Sequence, residues 1–137
     1  MSAPLLLDTC AAIWAAEDQL RPEAAELLDD QYTAGEPILI SPITAWEMGL
    51  LFARGRLRAA LPPLEYFRRL VSIPGIRLAE LPPDILVASS FLPGAPPADP
   101  ADRIIVATAR EYGFTVMTRD AALLDYAKKG HLKALVC

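Results

Sequence analysis

A three-layer α/β domain, with a mainly parallel central sheet flanked by helices, is the fold class this sequence predicts. Three observations carry that expectation. Short apolar runs of strand length alternate with helical patterns along the chain, as in successive strand–helix–strand units. The first run, Leu5–Leu7, is continuous rather than alternating, as a strand buried on both faces requires. The stretch from Asp99 to Asp120 contains, in order, a cap, a helix, a glycine stop, a buried strand and a second acid.

Leu5–Leu7 ends at Asp8, which then sits at the carboxyl end of the first strand. Asp8 or Thr9 can cap a helix through Ala11, Ile13, Trp14 and Ala16, and Arg21-Pro22 opens another through Ala25, Leu27, Leu28 and Tyr32, closed by Gly35. Pro37–Ile40 reads as the second strand. Ser41-Pro42 supplies a cap and first turn for a helix from Ile43 to about Ala53. That helix is apolar almost all round, and Glu47 is its only ionisable residue before Arg54. Arg54-Gly-Arg-Leu-Arg58 is a compact basic turn. Pro-Pro pairs at 62, 82 and 96 each precede a helix, and the sequences between them differ too much to be repeats. Ile76–Leu81 reads as a strand and Ile85–Leu92 as a helix. Asp99 is an N-cap with Pro100 at the first helical position, and Ile104, Ile105, Thr108, Ala109 and Tyr112 recur at helical steps until Gly113. Phe114–Met117 is a strand, Ala121–Lys128 a helix and Lys133–Val136 a last strand.

With 137 residues, 53% of them hydrophobic and 22% charged, the chain is expected to form one domain spanning 1–137 and is not disordered. The apolar content exceeds what a lone soluble domain needs, so a partner or self-association surface is expected. The amino terminus has no basic segment before its apolar run, and no stretch approaches about 18 apolar residues, which points to the cytoplasm and away from a membrane. Cys10 and Cys137 are the only cysteines and His131 the only histidine, which excludes a disulfide framework and a Cys/His zinc site. A metal here would be a hard ion held by oxygen. A net charge of −4 excludes indiscriminate coating of nucleic acid but not a nuclease, whose metal neutralises local acids and bridges to phosphate.

Each acid has a bland reading. Asp102 can support the Asp99 cap, Asp120 can cap the helix that follows it, and Asp8 can be the polar end of a strand. Glu47 is harder to dismiss, because the residues beside it on its helix face are Ile43, Leu50 and Leu51. Together, Asp8, Asp102 and Asp120 fall at strand ends or helix starts that a parallel sheet gathers on one edge, and Glu47 adds a fourth carboxylate. Such a cluster raises its own pKa values unless a divalent cation compensates it. Mg2+ or Mn2+ suits carboxylate oxygens and acts on phosphate esters by activating water.

Leu-Leu-Leu-Asp8-Thr-Cys, Ser-Pro-Ile-Thr-Ala-Trp-Glu47-Met, Asp99-Pro-Ala-Asp102-Arg-Ile-Ile-Val-Ala-Thr-Ala and Val-Met-Thr118-Arg-Asp120 resemble, in order and spacing, the acidic motifs of PIN-domain ribonucleases, most closely the VapC-type toxins of bacterial toxin–antitoxin pairs. The resemblance spans essentially the whole chain. It implies a PIN-like fold and an Mg2+- or Mn2+-dependent endoribonuclease that cuts RNA, forms a homodimer and is held inactive by a VapB-like antitoxin. Asp8, Glu47, Asp102 and Asp120 match the family's catalytic, metal-binding quartet, and Thr118 matches a hydroxyl position beside it. Asp99 and Asp102 both lie at the helix start; motif alignment favours Asp102 as the ligand and leaves Asp99 as cap. Cys10 departs from the small polar residue usual in the first motif. Arg54, Arg56, Arg103 and Arg119 are candidates for RNA phosphate, against a reading as solvated side chains or carboxylate partners. Trp14 and Trp46 are expected in a core or interface rather than under bases. The alternative function is a catalytically silent interaction module of the same fold. Aspartyl phosphoryl transfer at Asp8 ranks behind both, since Cys10 stands where the dehalogenase-like phosphatases place a second Asp.

Overall fold

The computed structural model describes residues 4–137, so the first three residues of the amino-terminal run lie outside the described part. Five short strands, β1 (Leu5–Leu7), β2 (Ile38–Ile40), β3 (Ile76–Leu78), β4 (Thr115–Thr118) and β5 (Ala134–Val136), form one sheet in the order β3-β2-β1-β4-β5. All neighbours are parallel, and Leu6 of β1 lies opposite Leu39 on one side and Val116 on the other. The chain adds β2 and β3 on one side of β1, then crosses over to add β4 and β5 on the other. Connections leaving β1 and β4 therefore diverge, which opens a crevice at the carboxyl ends of these two strands.

The helices are α1 (Thr9–Ala16), α2 (Pro22–Thr33), α3 (Ile43–Ala53), α4 (Pro63–Val71), α5 (Pro83–Ala88), α6 (Pro100–Tyr112) and α7 (Ala121–Lys128). β2 and β5 each begin one residue later than expected, at Ile38 and Ala134, and β4 is shifted by one, to Thr115–Thr118; two elements, β3 and α5, depart by more. β3 stops at Leu78 rather than Leu81: Ala79 N–H still donates to Ile40 O, but β2, its one neighbour, ends at Ile40, so Glu80 and Leu81 have no strand beside them to pair with. α5 begins at Pro83 and ends at Ala88 rather than running from Ile85 to Leu92, because the proline pair pre-sets its first turn and the Ser89 hydroxyl donates to Leu86 O at its end. Phe91, expected inside that helix, is 81% exposed beyond it.

Strand side chains alternate between two apolar layers, as the two-residue period dictates. Leu5, Leu7, Ile38, Ile40 and Met117 pack with residues of α1 to α4, while Leu6, Leu39 and Val116 pack with α6 and α7 through Ile105, Val106, Ala109, Leu123 and Tyr126. Burial on α6 is wider than one stripe: Ala101, Ile105, Val106, Ala107, Thr108 and Ala109 are all buried, since α3, α5 and β4 surround the helix. Tyr112, on the expected periodic face, is instead partly exposed. Gly113 ends α6 in the left-handed region (φ 73°), and a Cβ there would meet nothing within 4 Å. Gly113→Ala is therefore expected to cost only the conformational penalty, about 1 kcal/mol, read as a lower urea midpoint with an unchanged slope. No described helix is long and apolar enough to cross a membrane.

Candidate active site

The four acids singled out by the motifs meet at the crevice between β1 and β4. Asp8 follows β1 directly and caps α1, its Oδ1 accepting from Ala11 N–H at 2.8 Å. Its other oxygen accepts from the hydroxyl of Thr118, the last residue of β4 and fully buried. The same Thr118 oxygen accepts from Asp120 N–H at 3.0 Å, so one hydroxyl ties the ends of the two strands together. Asp120 caps α7, with Oδ2 accepting from Leu123 N–H at 3.1 Å. Asp99 is the cap of α6, its Oδ1 accepting from Ala101 N–H at 2.8 Å and Asp102 N–H at 3.1 Å. Asp102 stands in the first turn behind it with its carboxylate free of the cap.

Glu47 reaches the cluster from α3. It accepts from the Thr9 hydroxyl, and Thr9 lies 3.0 Å from the hydroxyl of Thr44. A hydroxyl has one proton, so with Thr9 donating to Glu47 it is Thr44 that donates to Thr9. Thr9 and Thr44, both buried, were not among the site residues expected from sequence. The available signal was spacing: Thr44 lies three residues before Glu47, on the same helix face.

Electrostatics places these carboxyl groups in one field. The Asp102 carboxyl is pushed up to about 7, first by burial and then by repulsion from Asp99, Asp120, Glu47 and Asp8. Asp8 and Glu47 are also raised, chiefly by burial, with the hydrogen bonds from Thr118 and Thr9 working in the opposite direction. Cys10 is exposed at its surface, and its thiol is pushed up to about 11 by burial and then by Asp8, Glu47 and Asp102. None of the acids is neutralised by a cation: among the described residues the ion pair is that of Arg69 with Glu65, at 3.9 Å on α4. A donor set of carboxylate and hydroxyl oxygens without imidazole fits a hard divalent ion such as Mg2+ or Mn2+. Among the described residues no three acidic, cysteine or histidine side chains are arranged to grip an ion as they stand, Asp8 and Asp120 being turned onto the backbone N–H groups they cap. The match to a divalent cation is thus one of charge and donor chemistry.

The four arginines considered for RNA divide into two pairs. Arg119 stacks on Trp14, 3.9 Å from its ring centroid, and donates to Cys137 O and Gln19 O at 2.9 and 3.3 Å. Arg103 donates through Nε to Pro97 O. Both therefore fasten chain segments around the site. Arg54 and Arg56 stand exposed on the turn after α3. Trp14 is half-buried beneath Arg119, whereas Trp46, beside Glu47, is 53% exposed and lies outside the core.

Comparison with known proteins agrees with this architecture. A family model described as PIN domain matches residues 5–129. The chain is 31% identical over 123 residues to Ribonuclease VapC22 of Mycobacterium tuberculosis, covering 89% of this chain and 91% of that protein. Two crystal structures share the fold: VapBC2 from Rickettsia felis bound to a DNA fragment from their promoter (TM-score 0.70, 13% identity, 96% and 97% of the two chains), and DNA-bound VapBC from Salmonella typhimurium (TM-score 0.62, 16% identity, 98% of each). At those identities the likeness is one of fold alone.

Proposed function

Because the chain belongs to the PIN-domain family, we propose that it is a divalent-cation-dependent endoribonuclease, the toxin of a toxin–antitoxin pair, acting as one domain over residues 1–137. One observation carries the reading: Asp8, Glu47, Asp102 and Asp120 share a crevice where burial and mutual repulsion push the Asp102 carboxyl up, and among the described residues none of the four is paired with a cation. A structural cluster gains nothing from this repulsion, whereas a site for a cation and a phosphodiester depends on it.

Asp8, Glu47, Asp102 and Asp120 would hold Mg2+ or Mn2+, which when bound supplies a Lewis acid that activates water and stabilises charge on the phosphate. The Thr118 hydroxyl orients the Asp8 carboxylate, and the Thr44–Thr9 relay orients Glu47. Asp99 keeps the first turn of α6 closed, so that Asp102 is presented at a fixed height. Arg54 and Arg56, both exposed, would meet RNA phosphates, while Arg103 and Arg119 hold the surrounding loops. Thr118→Val is expected to reduce kcat/KM about tenfold with the fold retained, as loss of a group that orients a ligand does; initial rates and a circular-dichroism melt check it.

The VapC22 relative is by name a ribonuclease, and the VapBC structures by name pair the toxin-like chain with a second component. These support a VapB-like antitoxin as partner. Leu86, Val87 and Phe91, exposed around α5, support a homodimer. A cytoplasmic location follows from an RNA substrate. The purified protein is expected to cut RNA with Mg2+ or Mn2+ and to stop on addition of chelator, with 5′-end sequencing locating the cut. No cleavage of total RNA, together with no heat of binding for either metal, would establish the silent interaction module instead. Co-expression with the adjacent gene, followed by size-exclusion chromatography, is expected to show the two proteins eluting together.

A further inference from the structure

All three lysines of this acidic chain, Lys128, Lys129 and Lys133, and its single histidine fall between residues 128 and 133. The fold adds Arg110 to them. Its Nη1 donates to His131 O at 2.6 Å, joining the last turn of α6 to the connection between α7 and β5. The His131 ring is fixed beneath, packed 4.9 Å from Tyr126, and a Cβ at Gly94 would strike its Nε2 at 2.8 Å. Between these segments lies an open pocket of about 340 Å³, lined by Arg110, Gly113, Gly130, His131 and Lys133 among others, with no acidic side chain in its wall. Gly113 and Gly130 leave its floor bare backbone.

Placing Lys128 and Arg110 in the last turns of α7 and α6 answers the helix dipoles, which contribute roughly half a negative charge each. Four cations exceed that need, and among the described residues none of them has a carboxylate partner. Lys133, on neither helix, is not explained by a dipole at all.

This pocket lies at the amino ends of β4 and β5, one strand length, roughly 13 Å, from the acids at the carboxyl ends. A shallow trough of about 650 Å³ runs from the pocket along β5 as far as Val136. It is lined by Lys128, Leu124, Lys133, Leu135 and Val136, and it shares Lys133 with the pocket. Its far end is Val136, which lies opposite Thr118, whose hydroxyl holds Asp8.

We propose that this pocket is a second phosphate site for the RNA strand, taking a backbone phosphate at Arg110 and Lys133 while the strand follows the β5 trough towards the acidic crevice. The inference rests on the ribonuclease reading for its ligand. Phosphate contacts of this kind position a strand without reading its sequence, and the exposed Leu135 and Val136 offer apolar surface for sugar and base.

The test is fluorescence anisotropy with Asp8→Asn protein, which is expected to bind without cutting. A long single-stranded RNA is compared with a short one covering only the cut site. Lys128→Ala combined with Lys133→Ala is expected to weaken the long RNA about tenfold and to lower the salt slope by about two, with the short RNA unaffected. Lys133→Arg alone is expected to keep wild-type affinity. Unchanged affinity for the long RNA, or equal loss for both lengths, would overturn the site. Cleavage by the unmodified protein is scored separately: its absence overturns the ribonuclease reading, while the binding comparison still decides the pocket.

Discussion

Asp8→Asn is expected to lower cation-dependent RNA cleavage by about a hundredfold or more while the protein remains folded. The substitution keeps the shape of the side chain, and Oδ1 can still accept from Ala11 N–H, so the cap of α1 survives. What changes is charge, together with the bond from Thr118, whose hydroxyl would face an amide NH2 in place of the accepting Oδ2. Asp8 is the most buried of the four acids, at 6% exposure, and an amide there removes the negative charge that a divalent cation would neutralise. Removal of one preorganised electrostatic contact in an active site costs on the order of 10²–10³ in rate. The same change relieves repulsion on Asp102, so in chelator the variant is expected to melt no lower than the wild type. Initial rates on a defined RNA with Mg2+, beside melts in EDTA, separate the two effects. A rate within twofold of the parent would remove Asp8 from the chemistry.

The placement of Asp8, Asp102 and Asp120 was legible because the local signals for it are short-range. A continuous apolar triplet ending in an acid specifies a buried parallel strand and its carboxyl end; Asp99-Pro100 specifies the start of α6; Gly113 specifies its stop. All three hold in the structure. Asp99 is the cap of α6 as expected, its Oδ1 accepting from the Ala101 and Asp102 N–H groups. The Thr44–Thr9–Glu47 relay was not legible, because it joins side chains 35 and 38 residues apart and depends on how α3 crosses α1. Nor could spacing reveal that Arg103 and Arg119 answer carbonyl oxygens and a tryptophan ring, since a basic residue beside an acid looks the same whichever way it turns. The ends of β3 and α5 were misjudged because hydropathy continues through Leu81 and Leu92. The end of the neighbouring strand at Ile40 stops β3 first, and the proline pair and a serine hydroxyl bound α5.

Without metal, the protein is expected to lose stability as pH rises from about 4 to about 7, and a divalent cation to restore it only at the upper end. The sign follows from linkage. An ordinary aspartate ionises at 3.8, and Asp102 in the folded chain at about 7, so between those values the folded state binds the extra proton. Its contribution is complete below the unfolded value and is lost as pH passes through the folded one. Asp8 and Glu47, raised in the same direction, add to the slope. Asp102 is partly open to solvent, and discounting for screening leaves an effect of about 1–2 kcal/mol. Because Mg2+ or Mn2+ binds the deprotonated carboxylates, it competes with the proton, and adding it raises Tm at pH 8 but has little effect at pH 5. Asp102→Asn separates charge from packing. In chelator at pH 8 it is expected to be more stable than the wild type and to show a flatter pH profile, and it is expected to lose most of the cation-induced shift. Urea midpoints at the two pH values, with and without cation, check all three outcomes. A metal-free wild type that grows more stable between pH 5 and pH 8 would mean that the carboxylates are compensated from within the chain. The crevice would then have no need of a cation.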